Sequence, residues 1–142
     1  MIDQSVGDVM TSSVRTVTPE TTASSLAGLF ADDGVGSAVV VDPETGAIVG
    51  IVTESDVLSL VASDADVTST QVQSFMTTPV ITVTTTDPIH QAATVMKEHS
   101  IRRLPVVDDG NLEGVLTTTN LTHYMPRLRN TILRSRNEFT GQ

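Results

Sequence analysis

Apolar positions along this chain change their spacing on a fixed schedule, and the schedule runs twice. Ser5 to Met10 fits one helical turn, and Val14 to Val17 is a short apolar run that predicts a strand. Pro19-Glu20-Thr21-Thr22 supplies a turn and a cap. Ala23, Leu26, Ala27 and Phe30 then recur at helical spacing, predicting a helix through Asp32 that Gly34 and Gly36 stop. Ser37 to Val41 is a strand, continuous enough at Val39-Val40-Val41 to suggest burial on both faces. Asp42-Pro43-Glu44-Thr45-Gly46 reads as a hairpin turn, Ala47 to Thr53 as the next strand, and Glu54 opens a helix ending near Ser63.

The second pass starts sixty-six residues later, where Met76-Thr77-Thr78-Pro79-Val80-Ile81-Thr82-Val83-Thr84 repeats Met10-Thr11-Ser12-Ser13-Val14-Arg15-Thr16-Val17-Thr18. It predicts a strand over Val80 to Val83, a helix over Pro88 to His99 and a strand over Arg103 to Val107. A turn at Asp108-Asp109-Gly110-Asn111, a strand over Leu112 to Thr117 and a helix from Thr118 complete it. Leu104-Pro105-Val106-Val107-Asp108 echoes Ala38-Val39-Val40-Val41-Asp42. After a two-residue deletion, Gly114-Val115-Leu116-Thr117-Thr118-Thr119-Asn120 echoes Gly50-Ile51-Val52-Thr53-Glu54-Ser55-Asp56. The expected fold is mixed α+β: two β-α-β-β-α repeats, over residues 5–62 and 71–125, packed through their sheets with pseudo-twofold symmetry. Residues 63–70 are polar and unpatterned and read as a linker. A repeat of about 55 residues is marginal alone, so a shared core is expected, with two near-equivalent clefts where the halves meet.

Past residue 125 the pattern changes. Leu121, Met125, Leu128 and Ile132 form a helical stripe interrupted at Pro126, with Arg127, Arg134 and Arg136 off it. This reads as a helix docked on the body or on a second copy, or as a cationic arm for an anionic partner.

Composition narrows the functional classes. Without cysteine there are no disulfides, thiolate metal sites or cysteine nucleophiles. Three Phe, one Tyr and no Trp make the core aliphatic, with Met10 and Met76 expected to seal the lead-ins. No apolar run approaches the roughly 20 residues needed to span a bilayer. The N-terminus has neither the basic region nor the apolar stretch of a signal peptide, so a cytoplasmic protein is expected. Residues 1–125 carry a net charge of −12 and residues 126–142 one of +3. An acidic body disfavours nonspecific nucleic-acid binding, which depends on neutralising phosphates. Its single lysine and excess carboxylates suit a high-salt cytoplasm, although an ordinary acidic protein fits as well. His90, His99 and His123 lack metal-ligand spacing, and neither a nucleophile elbow nor a P-loop is present.

The candidate chemistry lies at the strand-to-helix corners. Thr53 ends a strand and Asp56 falls in the first turn of the next helix, whose unpaired N–H groups favour an anion. The Asp56 carboxylate suits the paired hydroxyls of a ribose. The plainer reading is that Thr53 caps the helix and Asp56 complements its dipole. Thr117 and Asn120 hold the equivalent places in the second repeat, with an uncharged side chain that both donates and accepts.

The stretch Gly50 to Asp56 resembles the glycine–hydrophobic–hydrophobic–threonine–x–x–aspartate signature of cystathionine-β-synthase (CBS) domains. Val9-Met10-Thr11 and Leu104-Pro105-Val106-Val107-Asp108 are similar to other signatures of that family, and the resemblance spans about residues 5–125. It implies a tandem pair that is not an enzyme, and that binds an adenosine ligand (AMP, ADP, ATP or S-adenosylmethionine) between its halves. Adenine would meet Thr16 and Val17 or Thr82 and Val83, and would pack on Ala38 and Val39 or Leu104 and Pro105. Ribose would go to Asp56 or Asn120, and phosphate to Arg102 and Arg103, which otherwise read as surface arginines paired with Asp108 or Asp109. The resemblance also implies a homodimer and a regulated partner protein that senses the ligand through conformational linkage. The alternative is a ligand-free module for dimerisation or docking.

Overall fold

A computed structural model describes residues 4–124. The arginine-bearing stripe beyond Tyr124 lies outside the described residues. The elements are α1 (Val6–Val9), β1 (Thr16–Val17), α2 (Ala23–Asp33), β2 (Ser37–Val41), β3 (Ile48–Thr53) and α3 (Glu54–Ala62). A 3₁₀ turn (Val72–Ser74), α4 (Ile89–His99), β4 (Arg103–Asp108), β5 (Asn111–Thr117) and α5 (Thr118–Tyr124) follow. Both sheets and helices match the mixed α+β expectation.

The chain divides into two compact units, residues 13–81 and residues 1–12 with 82–142. The units do not coincide with the two passes of the pattern, because each lead-in folds onto the other repeat. Gln71 bridges Thr22, and Thr77 bridges Ile51, within the first unit. By the same logic Ser5 bridges Pro88, and Thr11 bridges Val115, within the second.

In the first unit β1 runs parallel to β2, and β2 pairs antiparallel with β3, giving the order β1-β2-β3. Leu26 and Phe30 of α2 pack on Ala38 and Val40 of β2, Val52 of β3 and Val72 of the 3₁₀ turn. Residues at i and i+2 share a face of a strand, so Val39 points to the opposite face from Ala38 and Val40. Thr22 accepts a bond from the Ser25 N–H and caps α2, while Gly34 ends it in the left-handed conformation at φ 66°.

Residues 63–70, expected as a plain linker, are ordered by their own polar groups. Asp66 Oδ1 accepts from the Thr68 N–H and hydroxyl at 3.1 and 2.6 Å, and the Thr68 hydroxyl holds the carboxylate below its ordinary pKa range. The Thr70 and Val67 carbonyls accept from the Ala23 and Ser24 N–H groups, two of the donors that the start of a helix leaves without an intrahelical partner.

The second unit departs from its template in two places. Its hairpin β4-β5 turns on Asp109 and Gly110 alone, at φ 50° and 80°, a tight turn matched to strand twist. This is where the two-residue deletion falls. The strand expected over Val80 to Val83 is reduced to one bridge, between Val83 and Val106. In the first unit the Val39 N–H donates to the Arg15 carbonyl. Pro105 occupies the equivalent place and has no N–H to give, so the ladder cannot extend. The lead-in is held as in the first unit: Val6 and Val9 are 0% and 1% exposed, and the Val6 and Gly7 N–H groups donate to the Asp87 and Thr85 carbonyls, as those of Val72 and Gln73 donate to the Thr21 and Pro19 carbonyls.

Met10 and Met76, expected in the core at the lead-ins, are only half-buried, and each lies on a glycine of the other repeat. A Cβ added to Gly50 would stand 2.5 Å from the Met76 sulfur, and one added to Gly114 would stand 2.5 Å from the Thr11 carbonyl oxygen. No helix among the described residues is long and apolar enough to cross a membrane.

Candidate site at the strand-to-helix corners

The two corners share a backbone plan. At the first, the Thr53 N–H donates to Asp56 Oδ2 at 2.8 Å and the Asp56 N–H donates to Thr53 Oγ1 at 3.4 Å. This reciprocal pair is a capping box, so the plain capping role of Thr53 and Asp56 is present. It consumes only half of the carboxylate. Asp56 Oδ1 receives no hydrogen bond among the described residues, and the group is half-buried at the start of a nine-residue helix. The Ser55 hydroxyl, 3.0 Å from Thr53 Oγ1, adds a polar group that sequence reasoning passed over.

At the second corner the Thr117 N–H donates to Asn120 Oδ1 at 2.9 Å and the Thr117 hydroxyl does so at 3.1 Å. The Asn120 N–H returns a bond to Thr117 Oγ1 at 3.1 Å. The side-chain amide then reaches across the exchanged lead-in, where Asn120 Nδ2 donates to Thr11 Oγ1 at 3.2 Å. Thr11 was visible only as part of a repeated Met-Thr pair. Nothing local in the sequence joins it to a residue 109 positions away.

Strand register decides what stands beside each corner. Ser37 lies opposite Thr53, and the Glu54 N–H donates to the Gly36 carbonyl, so small residues flank Asp56. Arg103 lies opposite Thr117, and the Thr118 N–H donates to the Arg102 carbonyl, so the two arginines flank Asn120. Neither arginine has an ion-pair partner among the described residues, where Arg15–Asp33 at 2.8 Å is the recorded salt bridge. The expected pairing with Asp108 does not form. Thr85 occupies that carboxylate instead, through its N–H at 3.1 Å and its hydroxyl at 2.6 Å.

The remaining expected residues divide by exposure. Thr16 and Thr82 are exposed, while Val17 is half-buried and paired with Val40. Ala38, Val39, Val83, Leu104 and Pro105 are buried, the first two at 1% exposure. The Val83 backbone is fully used, donating to the Pro105 carbonyl and accepting from the Val107 N–H. His90, His99 and His123 are all exposed, and no cluster suited to a metal occurs among the described residues.

A family model described as "CBS domain" matches residues 6–63 and again 72–127. An uncharacterised protein of Methanopyrus kandleri is 35% identical over 137 residues, covering 95% of this chain and 69% of its own. A CBS domain-containing protein of Bacillus subtilis, YhcV, is 33% identical over 117 residues, covering 82% of each. Among solved structures, a CBS domain protein from Pyrobaculum aerophilum complexed with AMP superposes with a TM-score of 0.79 at 30% identity, covering 89% of this chain and 96% of that one.

Proposed function

The chain belongs to the CBS-domain family, and on that premise we propose that it is a non-enzymatic regulatory module whose Thr53–Asp56 corner binds the ribose of an adenosine ligand. The free Oδ1 of Asp56 is the observation that carries this reading. A carboxylate with one oxygen committed to its own helix cap and the other open is held rigidly and can still accept from adjacent hydroxyls. In the second unit, Arg102 and Arg103 spend none of their charge on ion pairs among the described residues. The AMP-bound relative favours AMP as the first ligand to try, with ADP, ATP and S-adenosylmethionine next. A partner that prefers the ligand-bound conformation receives the signal, and the size of that signal is limited by the ligand's differential affinity for the two conformations.

The test is calorimetric. Asp56→Ala is expected to weaken AMP binding at least tenfold, about 1.4 kcal/mol, while the far-ultraviolet circular dichroism stays native. Unchanged affinity rejects the assignment.

A second reading, a ligand-free dimerisation module, has one observation in its favour. Leu58 and Val61 of α3 are 68% and 59% exposed, and α3 buries none of its residues. We include a homodimer through this face in the proposal. The readings part on heating: AMP at 100 times its Kd raises stability by about 2.7 kcal/mol, whereas a module that only dimerises melts identically across a nucleotide panel. Leu58→Asp tests the face by sedimentation.

A further inference from the structure

We infer that the Thr117–Asn120 corner has become a structural latch on the exchanged lead-in and has ceased to anchor a ribose, so that the chain takes a single adenosine ligand. The inference rests on the adenosine-binding reading above, and its basis is a count of hydrogen-bonding capacity.

A ribose edge presents two adjacent hydroxyls, which a carboxylate engages by accepting from both. At the first corner one lone pair of Asp56 Oδ2 goes to the Thr53 N–H, and Oδ1 remains open. At the second, the amide oxygen of Asn120 already accepts twice, from the Thr117 N–H and the Thr117 hydroxyl. One amide hydrogen is committed to Thr11 Oγ1 at 3.2 Å. A single N–H remains, enough for one oxygen and with no acceptor left for a hydroxyl proton.

Rotating the amide does not free it. The backbone N–H of Thr117 is a donor, so the atom facing it must be the oxygen, and the nitrogen is thereby directed to Thr11. Thr11 is fixed in turn, since its N–H donates to the Val115 carbonyl and its carbonyl accepts from the Val115 N–H, both at 2.9 Å. The counterpart in the first unit is Thr77, held to Ile51 by the same two backbone bonds. Among the described residues the Thr77 side chain makes no hydrogen bond, and none from it reaches Asp56. The replacement of aspartate by asparagine therefore supplies a donor where the lead-in offers an acceptor. It ties residues 4–12 to the unit they complete, at the cost of the ribose contact.

Titration calorimetry with AMP on the full chain reads the stoichiometry directly. The wild type is expected to take one AMP per chain, Asn120→Ala to leave that number unchanged, and Asn120→Asp to add a second, weaker event. Two equivalents on the wild type, or a single one on a folded Asn120→Asp, overturn the inference. Urea unfolding of Thr11→Val, Asn120→Ala and the double variant separates the latch from the ligand. The latch requires each single variant to lower the midpoint and the double to lower it no further than Asn120→Ala alone, whereas additive shifts overturn it. If the wild type binds no AMP, the adenosine-binding reading fails, and this cycle alone decides the latch.

Discussion

The first repeat keeps an open carboxylate at its corner and flanks it with small residues. The second keeps two arginines, closes its corner with an amide and shortens its hairpin to two residues. Starting from near-identical patterns, one copy keeps an open acceptor oxygen, and the other has turned the same position inward to hold the frame. The backbone plan tolerates both, because the capping geometry at Thr53 and Thr117 is satisfied equally by aspartate and asparagine. What differs is the one polar atom left over.

Four perturbations probe this contrast, taken from the largest expected effect to the smallest. Deleting residues 1–12 removes Val6 and Val9 from the second unit while leaving every residue of the first in place. Each fully buried valine is worth about 1.5–3 kcal/mol, so a loss of roughly 3–6 kcal/mol is expected, a large part of a typical domain's stability. Urea unfolding should show the second unit melting early while amides of residues 13–81 stay protected from exchange. Equal loss in both units would erase the distinction.

The two close glycines sharpen it next. A Cβ at Gly114 meets the Thr11 backbone, which cannot yield without moving the lead-in, whereas one at Gly50 meets the Met76 side chain. Within the range of about 1–3 kcal/mol for overpacking, Gly114→Ala should fall at the upper end and Gly50→Ala at the lower, by denaturant midpoint. A reversed order would show the lead-in that carries Met76 to be the stiffer.

Thr85→Val cuts the hydroxyl bond to Asp108, a contact with no counterpart in the first repeat, where Pro19 holds the matching position. The expected cost is about 1.5 kcal/mol, as for a bond to a charged group.

The smallest change is Pro105→Val. Its new N–H can make the bond Val39 makes in the first unit, worth about 1 kcal/mol, but losing proline loosens the unfolded chain by about 0.4–1 kcal/mol. Stability should shift by no more than about 0.6 kcal/mol, the difference of those two terms. The telling readout is a slowly exchanging amide at residue 105.

How much of this was legible in the sequence follows from which signals are local. Helical spacing at Ala23, Leu26 and Phe30 placed α2 to within a residue, and turn residues placed both hairpins. The capping box needed only Thr53 and Asp56 three positions apart. The strand over Val80 to Val83 misled because its partner, not itself, lacks the donor: Pro105 lies more than twenty residues away. The linker's order comes from Asp66, Thr68 and Thr70 bonding to backbone, which hydropathy does not register. Exchange of the lead-ins was unreadable in principle, since two matching lead-ins fit either repeat equally well. The status of Asn120 depends on that exchange, so it too required coordinates.

The interleaved connectivity also sets an order of events on the ribosome. Everything the first unit requires is contiguous and has been synthesised once Ile81 has been added. Residues 4–12 emerge earlier still, yet the strand that receives Thr11 ends at Thr117. Buried valines of the lead-in therefore wait, exposed, through the synthesis of about a hundred further residues, a window in which a nascent chain of this kind is open to misassembly.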